Sequence, residues 1–433
     1  MEAIDRLFEK LSRRNFDDIV LQQVSGDVSQ VRFSGNMVDQ ESTWVDDSVD
    51  VFVARGRKII AYEMNDLSRT DEAVEFLAST IDRMPENPSY GGINTTRVQQ
   101  GNWNSRGSDS DLGDAAQAMI RSALENGAEK CAGIIYRRTE TVSLITPYNS
   151  LSSTTSGHEA VIRAFCGDST GQEAIHFGPG SGFSTQAIEK MGVESAQTAA
   201  RKVPRRVGDP GKFDVILSPY VIGSLLSYSA QYFSAESVMA GLSFLENMIG
   251  KEVASPQVNL VDDPTDRNGI AYVPFDMEGT LTRRNTLIEK GTLKTYVHSC
   301  STAKRFNTQT TGNAGILDPV PWQLKLLPGG GELDSMISDS RDALLILNTW
   351  YTRFQDDRNG VFSTVPRDGV FHVKNGEIVE SWSGIRISDS IPNILKSIRQ
   401  TSADTKWVKW WLEISPSEMP YVSLEDIQIS RSF

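Results

Sequence analysis

Imidazole is scarce in this chain. Only His158, His176, His298 and His372 occur among its 433 residues, and zinc hydrolases, Ser–His–Asp triads and most proton shuttles draw on histidine. His158-Glu159 runs on into Ala160-Val161-Ile162. It therefore lacks the second imidazole of an H-E-x-x-H helix, and it alternates like a strand. His298 and Cys300, two apart, would share one face of a strand, a ligand pair without a third or fourth member. Asp262-Asp263 and Asp276-x-Glu278 are the carboxylate pairs. On a strand Asp276 and Glu278 face the same side, where they could hold a hard cation, act as acid and base, or simply meet water. Gly178-x-Gly180-x-Gly182 and Gly329-Gly330-Gly331 miss the spacings that aim backbone amides at phosphate, and both read as connectors. No G-x-S-x-G elbow is present to mark a nucleophilic serine.

Composition narrows the classes further. Lys plus Arg is 43 and Asp plus Glu is 56, a net charge of −13, which repels phosphate backbones and argues against a nucleic-acid partner. The one basic cluster, Arg201, Lys202, Arg205 and Arg206, reads as a solvated helix end. Cys131, Cys166 and Cys300 are odd in number, far apart and without a C-x-x-C, a pattern that fits a reducing cytoplasm rather than a disulfide framework or a cysteine zinc site. Acids interrupt every apolar run of the opening residues, so no signal peptide is expected. The best apolar stretch, Val215 to Leu226, is short and carries Pro219 and Gly223, so no membrane span is expected either.

The elements that must position these residues describe an α+β chain. Ile4, Leu7, Phe8 and Leu11 have helical spacing. β-Branched runs at 18–24, 28–33, 49–54 and 58–62 predict strands punctuated by Gly26, Gly35 and Arg55-Gly56. Thr70 is placed to cap a helix carrying Ala73, Leu77, Ile81 and Met84. Residues 86–108 form a Gly/Asn/Ser-rich surface loop. A helix with Leu112, Ala116, Met119, Ile120, Ala123 and Leu124 on one stripe ends at Gly127. Strands follow at about 131–137, 141–145, 159–165 and 173–177, then a helix over about 184–202. Pro204, Gly208, Pro210 and Gly211 mark a boundary, dividing an N-terminal mixed domain (1–205) from a β-rich C-terminal domain (206–433). The second part opens with a buried strand, 213–217, and a Ser/Tyr-rich helix, 221–232. Hairpins are predicted around Glu289-Lys290-Gly291 and Asn375-Gly376, and a short helix over 392–400. Trp407 and Trp411 would share a strand face near the end, as core, subunit interface or peptide platform.

One stretch is more specific than any of these. Phe275-Asp276-Met277-Glu278-Gly279-Thr280, then Thr282, Arg284, Leu287-Ile288-Glu289-Lys290-Gly291-Thr292-Leu293, Tyr296, Ala303 and Thr311-Gly312-Asn313-Ala314-Gly315 resemble the signature of the TldD/TldE (PmbA) family. The resemblance extends to Glu125-Asn126-Gly127-Ala128-Glu129 before Cys131, to the helix from Gly192 to Ala200 with Arg201 and Pro204, and to Asp214-Val215-Ile216-Leu217. It covers most of the chain.

The family has two kinds of subunit. The catalytic TldD kind carries H-E-x-x-x-H and a later cysteine, which hold Zn²⁺. By resemblance that motif falls here on Ser227-Tyr228-Ser229-Ala230-Gln231-Tyr232, with Ser227 and Tyr232 at the ligand positions, Tyr228 at the base position and no cysteine after Cys300. A hydroxyl is a poor zinc ligand at neutral pH, and a phenol of pKa about 10 is a poor base. The resemblance therefore implies a TldE-type, non-catalytic cytoplasmic subunit, with no cofactor of its own and zinc in a TldD-type partner. Such chains pair around a shared cavity in which an extended peptide is held by strand addition. The Ser/Tyr helix would then be a degenerate active-site helix, its polar residues suited to a wet cavity. Asp276, Glu278, Gly312 and Asn313 are candidates for that cavity or for peptide contact, and a homodimer is open to the isolated chain. Two rivals remain at this stage: a self-sufficient hydrolase using His298, Cys300, Asp276 and Glu278, and a non-enzymatic protein-binding regulator.

Overall fold

In a computed structural model, residues 3–105, 110–409 and 415–432 are described. The first sheet is built from long strands: β1 (Asp18–Ser34), β2 (Met37–Arg55), β3 (Lys58–Met64), β4 (Lys130–Ile145), β5 (Ser150–Cys166) and β6 (Ser169–Phe177). They form an antiparallel sheet in the order β3-β2-β1-β4-β5-β6. The expected short strands are therefore fused. Gly26 is no turn but lies mid-strand, opposite Asp46 on one side and Glu140 on the other. Its missing Cβ is what lets β4 approach, because a Cβ there would stand 2.5 Å from the Thr139 carbonyl oxygen.

Period-two alternation assigns the faces of this sheet. One face carries Leu21, Val49, Val51 and Val53 against α1 (Ala3–Ser12) and α2 (Thr70–Thr80). Further along it carries Phe33, Ile135, Ala160 and Ile162 against α3 (Leu112–Glu125) and α4 (Thr185–Ala199). Fully burying each large aliphatic side chain contributes about 1.5–3 kcal/mol. Thr70 does not cap α2. Asp66 accepts from the Ser68 amide at 2.9 Å to open a 3₁₀ turn, and the Thr70 hydroxyl instead donates to the Leu67 carbonyl. The remaining alternate positions face the second half of the chain.

That half comprises β7 (Arg205–Val207), β8 (Gly211–Leu217), α5 (Pro219–Tyr228), α6 (Ala235–Met239), β9 (Leu260–Asp262), β10 (Asn285–Glu289), β11 (Thr292–Leu293), α7 (Cys300–Arg305), β12 (Leu324–Leu326), α8 (Leu333–Ser338), β13 (Asp342–Asp356), β14 (Val361–Lys374), β15 (Glu377–Ser383), β16 (Ile385–Ser390), α9 (Ile391–Ser397), β17 (Ile398–Val408) and β18 (Ser417–Arg431). The second sheet runs β11-β10-β9-β12-β18-β8-β13-β14-β15-β7, with β16 and β17 added on β18. β8 pairs in parallel with β13 and antiparallel with β18. The two hairpins turn where the sequence placed them, with Asn375 and Gly376 both at positive φ (49° and 81°). Arg205 and Arg206 are not a frayed helix end, since they pair with Ser381 and Trp382 of β15. Trp407 lies on β17 with Lys325 Nζ 4.9 Å above its ring, whereas Trp410 and Trp411 lie outside the described residues.

Ala at position 26 forces two strand backbones apart, so Gly26→Ala is expected to cost about 1–3 kcal/mol, read as a lower urea midpoint. Gly182→Ala, with nothing within 4 Å of the new Cβ, should stay within about 0.5 kcal/mol of the parent.

Candidate functional site

The segment matched to the metal-binding motif begins at Ser218, whose Oγ caps α5 by accepting from the Val221 amide, and Pro219 follows at the first helical position. Every residue from Pro219 to Ser227 is buried, and Val221, Ile222, Leu225 and Leu226 belong to the main core. Ser227 Oγ accepts from the Ser415 amide at 3.1 Å, and Ser229 Oγ donates to the Leu225 carbonyl at 2.6 Å. Both hydroxyls are thus spent on backbone groups, as burial requires. The α-helix stops at Tyr228, and the chain continues as a 3₁₀ turn, Ala230–Phe233. Tyr232 is 1% exposed, its ring centroid 5.0 Å from Phe244 and 5.7 Å from Phe354. Burial, then Asp357, holds its phenol far above the ordinary range. Ser224, Ser227, Ser229 and Tyr232 therefore sit in the core rather than in the wet cavity expected of this segment, while Tyr228 and Gln231 are half-buried.

Asp276 and Glu278 occupy a turn, not a strand, and they do different things. Asp276 is fully buried and accepts from the amides of Glu278 (3.0 Å), Thr280 (2.8 Å) and Ala314 (3.1 Å), so it ties the 275–281 turn to the 311–315 segment. Glu278 accepts from the Cys300 amide at 3.0 Å, at the start of α7. Burial, and then the charge of Asp276, pushes it up to about 8. Asn313 donates to Asp262 at 2.6 Å and to the Val320 carbonyl at 2.9 Å, and accepts from Asn285 at 3.1 Å. Gly312, at φ 76°, packs against Leu281 and Thr282. Asp262 takes two further amides, from Trp322 and Gln323. Burial pushes its carboxyl up to about 7 while those donors pull the other way. Asp276, Gly312 and Asn313 are therefore loop pins. Glu278 alone of these candidates borders open space, a cavity of about 220 Å³ shared with Tyr90, Glu236 and Asp318.

His298 and Cys300 do not share a strand face either. His298 lies in a loop against Tyr296 and Phe306, and burial lowers its pKa to about 4. Cys300 opens α7, and its thiol is raised by burial and by Glu278. Among the described residues, no group of three His, Cys, Asp or Glu side chains is placed to hold a metal.

What sequence reading did not find is the cleft between the first sheet and the second half. Met277 and Gly315 border both the 220 Å³ cavity and a larger one of about 400 Å³. The larger cavity is floored by alternate residues of β4 and β5, in register as Tyr136 opposite Glu159 and Glu140 opposite Thr155. Its roof is the 270–275 segment and Trp322. Alternation along β5 was legible in the sequence. Which face would meet the second half was not.

Residues 210–431 match a family described as the PmbA/TldA metallopeptidase C-terminal domain. The chain belongs to the PmbA/TldD family. A metalloprotease of Methanothermobacter thermautotrophicus is 26% identical over 50% of this chain and 48% of its own. A TldD homologue of Buchnera aphidicola is 28% identical over 51% and 46%, and a PmbA homologue of Haemophilus influenzae 27% over 48% and 46%. The chain spans about half the length of the curated relatives it matches. Two solved structures share the fold over 99% of this chain. One is a Thermotoga maritima protein named for modulation of DNA gyrase (TM-score 0.83, 20% identity, 99% of that chain). The other is TldE from Thermococcus kodakarensis (TM-score 0.81, 17% identity, 100% of that chain).

The metal implied by the family name does not fit α5 of this PmbA/TldD chain. Its matched positions offer a serine already holding a backbone amide and phenols in place of imidazoles and a carboxylate. Glu278 supplies a test of the turn that carries the family signature. Its folded pKa of about 8 lies above the usual 4.5. Its share of stability is therefore complete below about pH 4 and is lost as pH rises through 8. Glu278→Gln keeps an acceptor for the Cys300 amide. It should flatten the pH dependence of the unfolding free energy between pH 5 and 9, by up to about 1.4 kcal/mol per pH unit, and leave the variant more stable than the parent at pH 9.

Proposed function

We propose that this chain is a TldE-type, non-catalytic cytoplasmic subunit of a TldD/TldE zinc peptidase, which helps to bind extended peptides that a TldD-type partner cleaves. The observation that carries this reading is the chemistry of the matched motif. Ser227 is committed to the Ser415 amide, and Tyr232 is locked between Phe244 and Phe354. An imidazole at 232 would leave part of that aromatic site unfilled, so the loss of ligands is built into the packing. Relatives named metalloprotease, homologues named TldD and PmbA and the fold shared with a protein named TldE support the family role. A homodimer is open to the chain in isolation, closed two-fold assembly being the commonest outcome for such surfaces.

Purified alone, the chain should bind no stoichiometric zinc by elemental analysis and show no chelator-sensitive peptide cleavage. Mixed with a zinc-loaded TldD-type chain, it should raise cleavage and co-elute with that chain. Stoichiometric zinc with cleavage by this chain alone would sink the reading. Tyr228→Ala in the mixed complex should leave turnover within about twofold if α5 serves packing rather than the substrate path, the range of a substitution away from the reacting groups.

A further inference from the structure

The basic residues at the junction of the two halves play no part in the role proposed above. Arg201 follows α4 and Arg205 lies on β7, both exposed. The Arg201 guanidinium stands 5.4 Å from the centroid of the Phe371 ring, and Arg205 donates to the Asp168 carbonyl at 2.9 Å. Among the described residues, neither is ion-paired with a carboxylate. With Arg163 of β5 and Arg367 of β14 they line a cleft of about 270 Å³.

Asp368 sets the second pair of arginines. It has φ 52°, beside Gly369 at φ 111°, in a bulge of β14 that faces Ile346 to Asn348 of β13. Left-handed backbone is uncommon outside glycine, and aspartate is among the residues that tolerate it. Bulges re-aim side chains. Here the carboxylate is wholly buried and accepts from Arg163 Nε and Arg367 Nε, both at 2.9 Å. One acid thus holds two guanidiniums by their inner nitrogens. Arg367 is also stacked 4.4 Å from the centroid of Trp350. Its two terminal nitrogens have no hydrogen-bond partner among the described residues. A planar fork of this kind, with its stem fixed, matches phosphate oxygens.

Charge points the same way. The cleft wall carries four guanidiniums against two carboxylates, Asp168 and Asp368, in a chain whose net charge is −13. Like charges gathered in one cleft repel unless an anion joins them. Ser169, Thr198 and Ser381 add hydroxyls to the wall.

We propose that this cleft binds a phosphoryl dianion, as free phosphate or as the phosphate group of a small ester. Its oxygens accept from Arg201, Arg205 and the terminal nitrogens of Arg367, and its charge matches the excess in the wall. A nucleic-acid backbone fits less well, because the acidic chain around the cleft repels a polyanion. The cleft shares no lining residue with either cavity described above, so it stands independently of the subunit reading.

The test is calorimetric titration of the full chain with inorganic phosphate and with glycerol 3-phosphate. The buffer holds about 0.15 M chloride, which screens exposed charges beyond about 8 Å. At least one ligand should bind with a Kd below about 1 mM. Tighter phosphate binding assigns the free ion, tighter ester binding an esterified ligand, and equal affinity a site that reads the phosphoryl group alone. Arg201→Gln and Arg205→Gln should each weaken binding about tenfold, the loss of one charge-assisted hydrogen bond. Both should melt like the parent in phosphate-free buffer, since both positions are exposed. No heat from either ligand at about 10 mM, or unchanged affinity in the folded double variant, would overturn the site.

Discussion

The rest of the structure depends on how one face of the first sheet is satisfied once it is taken out of water. Glu173 on β6 is largely buried there, its side chain 12% exposed, and an unpaired carboxylate in that position would be costly. It is rescued from the other half of the chain. Lys406 Nζ of β17 lies 2.8 Å away, and the Tyr220 hydroxyl at the start of α5 donates to it at 2.8 Å. The same phenolic oxygen lies 2.7 Å from the Ala174 carbonyl. Lys406 also reaches Glu194 of α4 at 3.3 Å. A second clasp repeats the logic: Asp368 of β14, its side chain wholly buried, takes Arg163 of β5 at 2.8 Å and Arg367 at 2.9 Å, with the Thr170 hydroxyl at 2.6 Å. Each of these two clasps draws its charges from both halves.

Those clasps fix where α5 sits, and so what the degenerate motif can become. Tyr220 anchors the first turn of the helix to the first sheet, while Val221 to Leu226 enter the core of the second half. From Pro219 to Ser227 the helix has no side left for solvent. Ser227 and Ser229 spend their hydroxyls on backbone groups, and Tyr232 packs against other rings. The signature around Asp276 persists for a different reason. It is a hydrogen-bonded knot in which Asp262, Asp276 and Asn313 hold irregular loops that have little regular backbone pairing of their own.

Between the clasps and the knot the two halves do not touch fully, and the cleft is what remains. Its floor is fixed by strand register and its roof by the loop that the Asp276 turn positions. The cleft is thus a by-product of two structural solutions.

The sequence by itself determined the local elements: the amphipathic helices, the Asn375-Gly376 turn, the family signature, and the absence of imidazole and carboxylate at positions 227, 228 and 232. Spacing and residue type are enough for these because each is decided within a few residues. It did not determine that Gly26 lies inside a strand, that Asp276 faces backbone amides rather than solvent, that Tyr232 is a core ring, or that His176 and Glu159 pair on neighbouring strands. Each of those depends on which strand, loop or ring comes to lie against the residue, which spacing along the chain does not carry. Burial and register, which set the electrostatics of every buried charge here, exist only once the halves have packed.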